Sequence, residues 1–451
     1  MFKNIFNTKI GILLLILFIV EFFRFLLFPY VLRHLNNIRL FFVIMIVMTI
    51  WALNNNTNRI HNWYTKKYDY LMICLIVCVV LNCISCLIYR DQNVFETLFN
   101  WSPVLLLYLY YPLSSANLKV IDWEKILFWI FLINLCPHII LTFVEKPYLL
   151  FDLNVSDAIY DNNKRLRLYS DGILFLGCIF SFNKSLTNKK DSLRYVLLFL
   201  MSLFAIFIMG FRTTIFAIFV VCFYIFVKIR KIKIKLLLFF VLFACISSIY
   251  FYSDNLVQSR INDITERNRT ANFSNDDYVR VLIVKYYYNE YFKDTKEMIM
   301  GSGMVRRIID NPENIETLNG KYPSNYSKQV SIYSDRFHFF PVDLGLIGLS
   351  WEAGIPAAII LLLLCFLLFI PSQEDEYYYI RGWGLFNILT CITVPFYYYH
   401  KNMIFTVIVL IIFMKLKLNS EDILVKYLGN RKVNLHKRIK QESIALQRKV
   451  E

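Results

Sequence analysis

The sequence predicts an all-α polytopic integral membrane protein with about 12 transmembrane helices and one large extramembrane loop. Two observations carry that prediction. Hydrophobic residues make up 57% of the 451 positions, against roughly 45–50% in a soluble globular chain. The excess falls in continuous runs of about 16–24 residues, each long enough to cross a hydrocarbon core of roughly 30 Å as a helix. Only helices and closed barrels satisfy their backbone groups in lipid. Continuous rather than alternating runs select helices.

The spans read, in order, as 10–32, 39–53, 69–89, 98–114, 125–144, 169–183, 195–211, 213–228, 236–252, 343–371, 380–396 and 403–418. The first is too long for a signal-peptide core and lacks a small-residue cleavage site, so it is expected to be retained. Span 343–371 is too long for one straight crossing. It is expected to begin with a re-entrant piece and to break near Gly354-Ile355-Pro356. Four regions follow: a membrane domain at 1–252, a large outer loop at 253–342, a second membrane segment at 343–418 and a basic tail at 419–451.

Basic residues set the orientation. With the N-terminus inside, the inner loops hold Arg59, Lys66, Lys67, Lys119, Lys125, Lys184, Lys189, Lys190 and Arg194. They also hold the run from Lys228 to Lys235. Both termini are then cytoplasmic and the loop 253–342 lies outside. The formal charge of +16 is explained by these inner loops and the tail, which argues against a nucleic-acid partner. The tail from Lys426 to Lys449 reads as a surface helix on anionic membrane lipid.

The ten cysteines lie in apolar segments and the large loop has none, which argues against a disulfide framework. Cys83 and Cys86 form a CxxC inside a span, where packing explains them. Glu21 and Arg24 share a face of the first span as a structural ion pair. No Walker loop, HExxH, GxSxG or paired zinc-ligand spacing occurs, and the loop lacks Asp-x-Asp. No metal site and no cofactor are expected.

The loop is rich in Tyr, Ile, Val and Phe, so it is expected to fold. Asn275 or Asp276 is placed to cap a helix over Asp277–Met298, with Val279, Leu282, Ile283 and Tyr286 on one face.

Arginines are the candidate chemistry. Arg212 sits between two apolar runs at the outer face, where a charge is costly unless paired or used. Its planar fork suits a phosphate. Arg165 and Arg167 precede span 169–183 on the same side, and Arg280 lies on the loop helix. Together they form a cationic surface fit for a diphosphate. The loop closes with Asp335-Arg336-Phe337-His338 and then Asp343-Leu344-Gly345. Of these, His338 is a candidate base or phosphate donor, and Arg336 and Asp343 are candidate substrate-binding groups.

From Arg165 to Pro356 the chain resembles the bacterial O-antigen polymerase and O-antigen ligase superfamily. Four local patterns carry the resemblance. An arginine precedes a mid-chain span, Arg165 or Arg167. A Gly-Phe-Arg-Thr-Thr turn, Gly210–Thr214, joins two spans. An arginine helix ends in Gly-x-Gly, from Arg280 to Gly303. The loop exits through His338, Asp343-x-Gly345 and the pair Gly354-Ile355. His338-Phe339 replaces the ligases' His-Asn, and Phe211 replaces the usual small residue before Arg212. The Asp343-x-Gly345 form looks more like the polymerase branch.

The resemblance implies a metal-independent membrane glycosyltransferase. It would join oligosaccharide repeat units carried on undecaprenyl diphosphate, at the outer face of the bacterial cytoplasmic membrane. Arg212, Arg280 and His338 would be catalytic. Arg165, Arg167, Arg336 and Asp343 would bind diphosphate or glycan. A chain-length regulator protein is an implied partner. The alternatives are an O-antigen ligase acting on another acceptor and, in a different class, a polysaccharide or lipid transporter. A transporter usually shows internal repeats, and none is visible.

Overall fold

The computed structural model describes residues 63–89, 101–115, 121–143, 171–209, 212–229, 295–301, 345–371, 373–391 and 402–417, with isolated positions around 13–17 and 94–98. Among these residues every regular element is a helix and none is a strand. Predicted spans 39–53 and 236–252, most of span 10–32, the pair Glu21 and Arg24, and the basic tail lie outside the described residues.

Among the described residues, three helices are long and apolar enough to cross a membrane: α1 (Trp63–Tyr89), and, further along, those covering Trp123–Ile140 and Ser192–Met209. Helix α1 carries an outward stripe of Ile73, Ile76, Val77, Val80, Ile84, Leu87 and Ile88. In water such a patch is an aggregation liability; against lipid it needs no further partner.

The predicted span 98–114 is not one continuous α-helix. It divides into α2 (Ser102–Leu105), a 3-10 turn (Leu106–Leu109) and α3 (Tyr110–Ser115). Pro112 has no N–H to offer the Tyr108 carbonyl, which weakens α-helical winding over the preceding turn. Neighbouring side chains support this irregular piece. Tyr68 Oη donates to the Leu107 carbonyl at 2.7 Å and Tyr108 Oη to the Met72 carbonyl at 2.5 Å.

Helix α4 (Trp123–Thr142) starts where Asp122 Oδ1 accepts the Lys125 N–H at 3.1 Å. Helices α5 (Asp171–Thr187) and α6 (Ser192–Met209) form a tightly packed hairpin. Asn188 closes its turn by accepting the N–H groups of Lys190 and Asp191. Two residues separate α6 from α7 (Arg212–Lys228).

The short α8 (Thr295–Met300) packs on α1 and on the segment that follows the large loop. That segment is α9 (Leu346–Ala353), a break at Gly354, and α10 (Ile355–Phe369). The break falls where the Gly-Ile-Pro triplet predicts it. Pro356 opens α10, where its missing N–H costs nothing.

A 3-10 turn (Asp375–Tyr377) leads into α11 (Tyr378–Thr390), which returns antiparallel to α10. Gly384 lets the two backbones meet, because a Cβ there would press on the Cys365 carbonyl and the Phe369 nitrogen. At the far end the Leu346 N–H donates to the Cys391 carbonyl at 2.6 Å, tying α11 back to the start of α9. A last apolar helix, α12 (402–417), is buried along most of its length.

The two ends of this bundle are chemically distinct. At one, Lys184 lies buried between Glu124 and Glu376, with Nζ at 3.2 Å from Glu124 Oε1 and 2.9 Å from Glu376 Oε1. Tyr379 Oη donates to the same Glu124 at 2.6 Å. Asn183 ties the turn down by accepting the Tyr379 N–H and donating to the Asp375 carbonyl. Burial, then the nearby Glu124 and Glu376, push the Tyr377 hydroxyl up to about 12. It stays neutral at physiological pH, and its ring lies 5.1 Å from the Lys184 ammonium.

Replacing Lys184 by methionine keeps the stem and strands Glu124. A fully buried pair broken this way costs about 3–5 kcal/mol. Glu124 is 25% exposed and Glu376 56%, so water recovers part of that. A loss of about 1–3 kcal/mol is expected, measured as a lower melting temperature in detergent. Lys184→Met at the parent's melting temperature would show that the cluster is dispensable.

Candidate functional site

The other end of the bundle lies roughly 22 Å away along α10, at about 1.5 Å per residue. Here three segments remote in sequence meet around one amide. Asn82 is completely buried inside the apolar α1. Its Nδ2 donates to the Met300 carbonyl and to the Glu352 carbonyl, both at 2.8 Å. Its Oδ1 accepts the Trp101 indole N–H at 3.0 Å. Because the indole is only a donor, this bond fixes which end of the amide is oxygen. One turn on, Ser85 Oγ donates to the Gly301 carbonyl at 3.1 Å. Asn82 and Ser85 thus bind the last carbonyls of α8 and the last turn of α9. Helix C-termini otherwise leave such carbonyls unsatisfied.

Two glycines make the contact close enough. Gly301 has φ 78° and Gly354 φ 90°, both in the region that side chains disfavour. A Cβ on Gly301 would strike the Glu352 carbonyl, and one on Gly354 would strike the Ile299 carbonyl. Each glycine therefore leaves the space that the other segment's backbone fills. Gly345, which opens α9, also has positive φ at 56°. These are the positive-φ glycines among the described residues. Each belongs to a pattern singled out from sequence: Gly301-x-Gly303, Asp343-x-Gly345 and Gly354-Ile355. Their spacing reflects a backbone requirement at an α8–α9–α10 junction.

No family model matches the chain, and no curated protein matches it. Arg212 is the first residue of α7 and stands two positions after the end of α6, at a tight junction between apolar helices. Arg165, Arg167, Arg280, Arg336, His338 and Asp343 lie outside the described residues, as does the Arg212 side chain. The predicted loop helix over Asp277–Met298 is described only in its last turn, within α8.

The structure also brings in residues that the sequence reading did not assign. Asn82 has a signal in hindsight: a strong hydrogen-bonding amide in the middle of a 27-residue apolar helix. Glu352 has another. It is an acidic residue two positions before a glycine break, in a segment with no other charge. Its Oε2 is buried without a hydrogen-bond partner among the described residues. Cys83 and Cys86 are both buried on the packed side of α1, so the CxxC spacing has a structural account.

Proposed function

We propose that this chain is a polysaccharide polymerase. It joins undecaprenyl-diphosphate-linked oligosaccharide repeat units into a surface polysaccharide at the outer face of the cytoplasmic membrane. In this reading the chain has about twelve spans, both termini inside and the loop 253–342 outside. The observation that carries it is the interlock of Gly301 with Gly354. Two of the four patterns behind the resemblance, 53 positions apart, are parts of one packed junction. That junction joins the middle of the large loop, at the end of α8, to the break in the segment by which the chain returns to the bundle.

The sidedness is internally consistent. Glu124, Lys184 and Glu376 converge on one end, and the alternation of spans assigns all three to the cytoplasm. Asn82, Trp101, Gly301 and Glu352 converge on the other, assigned to the outside.

The chemistry is attack by an acceptor sugar hydroxyl on the anomeric carbon of a donor unit, with lipid diphosphate as leaving group. Arginines can hold the charge that develops there without a metal. Arg212 opens α7 at the outer end of the bundle in this reading, and Arg280 belongs to the loop helix expected from the sequence to lead to α8. His338, Arg336 and Asp343 precede α9, and Arg165 and Arg167 precede α5, so all belong to segments that end on the same side.

Deleting the gene and profiling glycans tests the reading. Single-repeat products on the surface are expected. Free lipid-linked polymer would instead indicate a ligase, and unchanged polysaccharide would overturn both.

Topology has its own test. A cysteine introduced at Asn311 is expected to react with a membrane-impermeant thiol reagent in intact spheroplasts. Protection of that cysteine until the membrane is broken would invert the orientation.

A further inference from the structure

Glu352 has a main chain with an assigned task and a side chain without one. Its carbonyl accepts the Asn82 amide at 2.8 Å and fills the space beside Gly301. Its carboxyl oxygen Oε2 is buried and meets no hydrogen-bond partner among the described residues. The contrast with the opposite end is sharp. There the buried Lys184 is held by two carboxylates. Arg381 likewise donates to the Phe369 carbonyl at 2.9 Å, at the Lys184 end of α10. A carboxyl oxygen buried without a partner in an apolar bundle is costly, and an acidic group at such a place points to function. The residue is also rigidly placed, because the glycine interlock and Asn82 fix its backbone from two sides.

We infer that Glu352 is the proton acceptor for the attacking hydroxyl of the acceptor repeat unit, an assignment that rests on the polymerase reading above. The hydroxyl oxygen forms a bond to the anomeric carbon of the donor. The bond from that carbon to the diphosphate oxygen breaks, and its electron pair leaves on the diphosphate. The hydroxyl proton passes to a Glu352 carboxylate oxygen and from there to water. The arginines serve the leaving group and Glu352 serves the nucleophile, so the two charges act on opposite partners of the same transfer. Positioned bases of this kind contribute about 10²–10⁴-fold to rate.

The test uses the purified full chain in lipid vesicles, with lipid-linked single repeat units extracted from the deletion strain as substrate. E352Q, which keeps the shape, is expected to lower kcat by about 10²–10⁴-fold with little change in KM. E352D keeps the carboxylate and is expected to retain more activity than E352Q. In E352A, added formate is expected to restore part of the rate by supplying a carboxylate to the vacated space. A purely structural role predicts none of that rescue. An active parent with an equally active E352Q overturns this assignment alone. So does equal activity of E352D and E352Q, or a loss in E352A that formate leaves unchanged. A parent that makes no polymer from the same substrate overturns the polymerase reading and this assignment together.

Discussion

Arg212→Ala and Arg280→Ala are each expected to lower polymer formation by about 10²–10³-fold, or roughly 3–4 kcal/mol of transition-state stabilisation. Arg212 is the first residue of α7, two positions beyond the end of α6. A charge at such a junction is partly removed from water, so its attraction to a diphosphate exceeds that of an exposed surface arginine. Arg280 lies upstream of α8, whose end is bonded to Asn82 in α1. In the proposed reading, the loop segment that carries Arg280 leads into that anchored end. Lysine is expected to rescue poorly at either position, because it keeps the charge but loses the planar fork. Arg431→Ala, in the basic tail, is the control and is expected to be near neutral. The measurement is polymer length and amount in cells at matched protein abundance. Normal polymer from both alanine variants would remove the proposed diphosphate site, even with the polymerase function intact.

The largest stability effects are expected at the two interlocked glycines. Gly354→Ala forces a side chain onto a backbone with φ 90° and ψ 153°. That conformation alone costs about 1–3 kcal/mol. The new Cβ would also collide with the Ile299 carbonyl and crowd the Gly301 nitrogen. These are backbone atoms and cannot swing away as a flexible side chain would. Gly301→Ala meets the mirror problem at φ 78°, against the Glu352 carbonyl and the Ala353 backbone. Each variant is expected to melt well below the parent in detergent and to lose polymer formation, because the end of α8 can no longer seat against α9 and α10. The substitutions are expected to be less than additive, since either one already opens the shared contact. Lys190→Ala, on the exposed turn between α5 and α6, serves as the neutral comparison. Parent-like melting of Gly354→Ala would show that the interlock is not required for the fold.

Much of this protein follows from its sequence alone. Uninterrupted apolar runs without alternation leave a helix as the way to satisfy the backbone in lipid, and every described element is helical. The Gly354-Ile355-Pro356 triplet marks a break because proline cannot continue a helix that precedes it, and α9 stops there. Local covalent and steric rules act within a few residues, so they can be read along the chain. The division of 102–115 into two short helices around a 3-10 turn was less legible. It depends on Pro112 together with tyrosine hydrogen bonds exchanged with α1, and only the former is local.

What the sequence could not show is which residues meet. Asn82 finds its partners 218 and 270 positions away, and no local preference encodes such distances. Lys184 reads in sequence as one more inner-loop lysine. The fold makes it a buried cation between carboxylates 60 and 192 positions distant. Gly301 and Gly354 each announce a turn, but only packing shows that each clears space for the other's backbone. Glu352 is an ordinary acidic residue until tertiary contacts bury one of its oxygens without a partner. Hydropathy and steric punctuation determined the elements. The tertiary structure decided the junction, because burial and hydrogen bonding are properties of atoms brought together from distant parts of the chain.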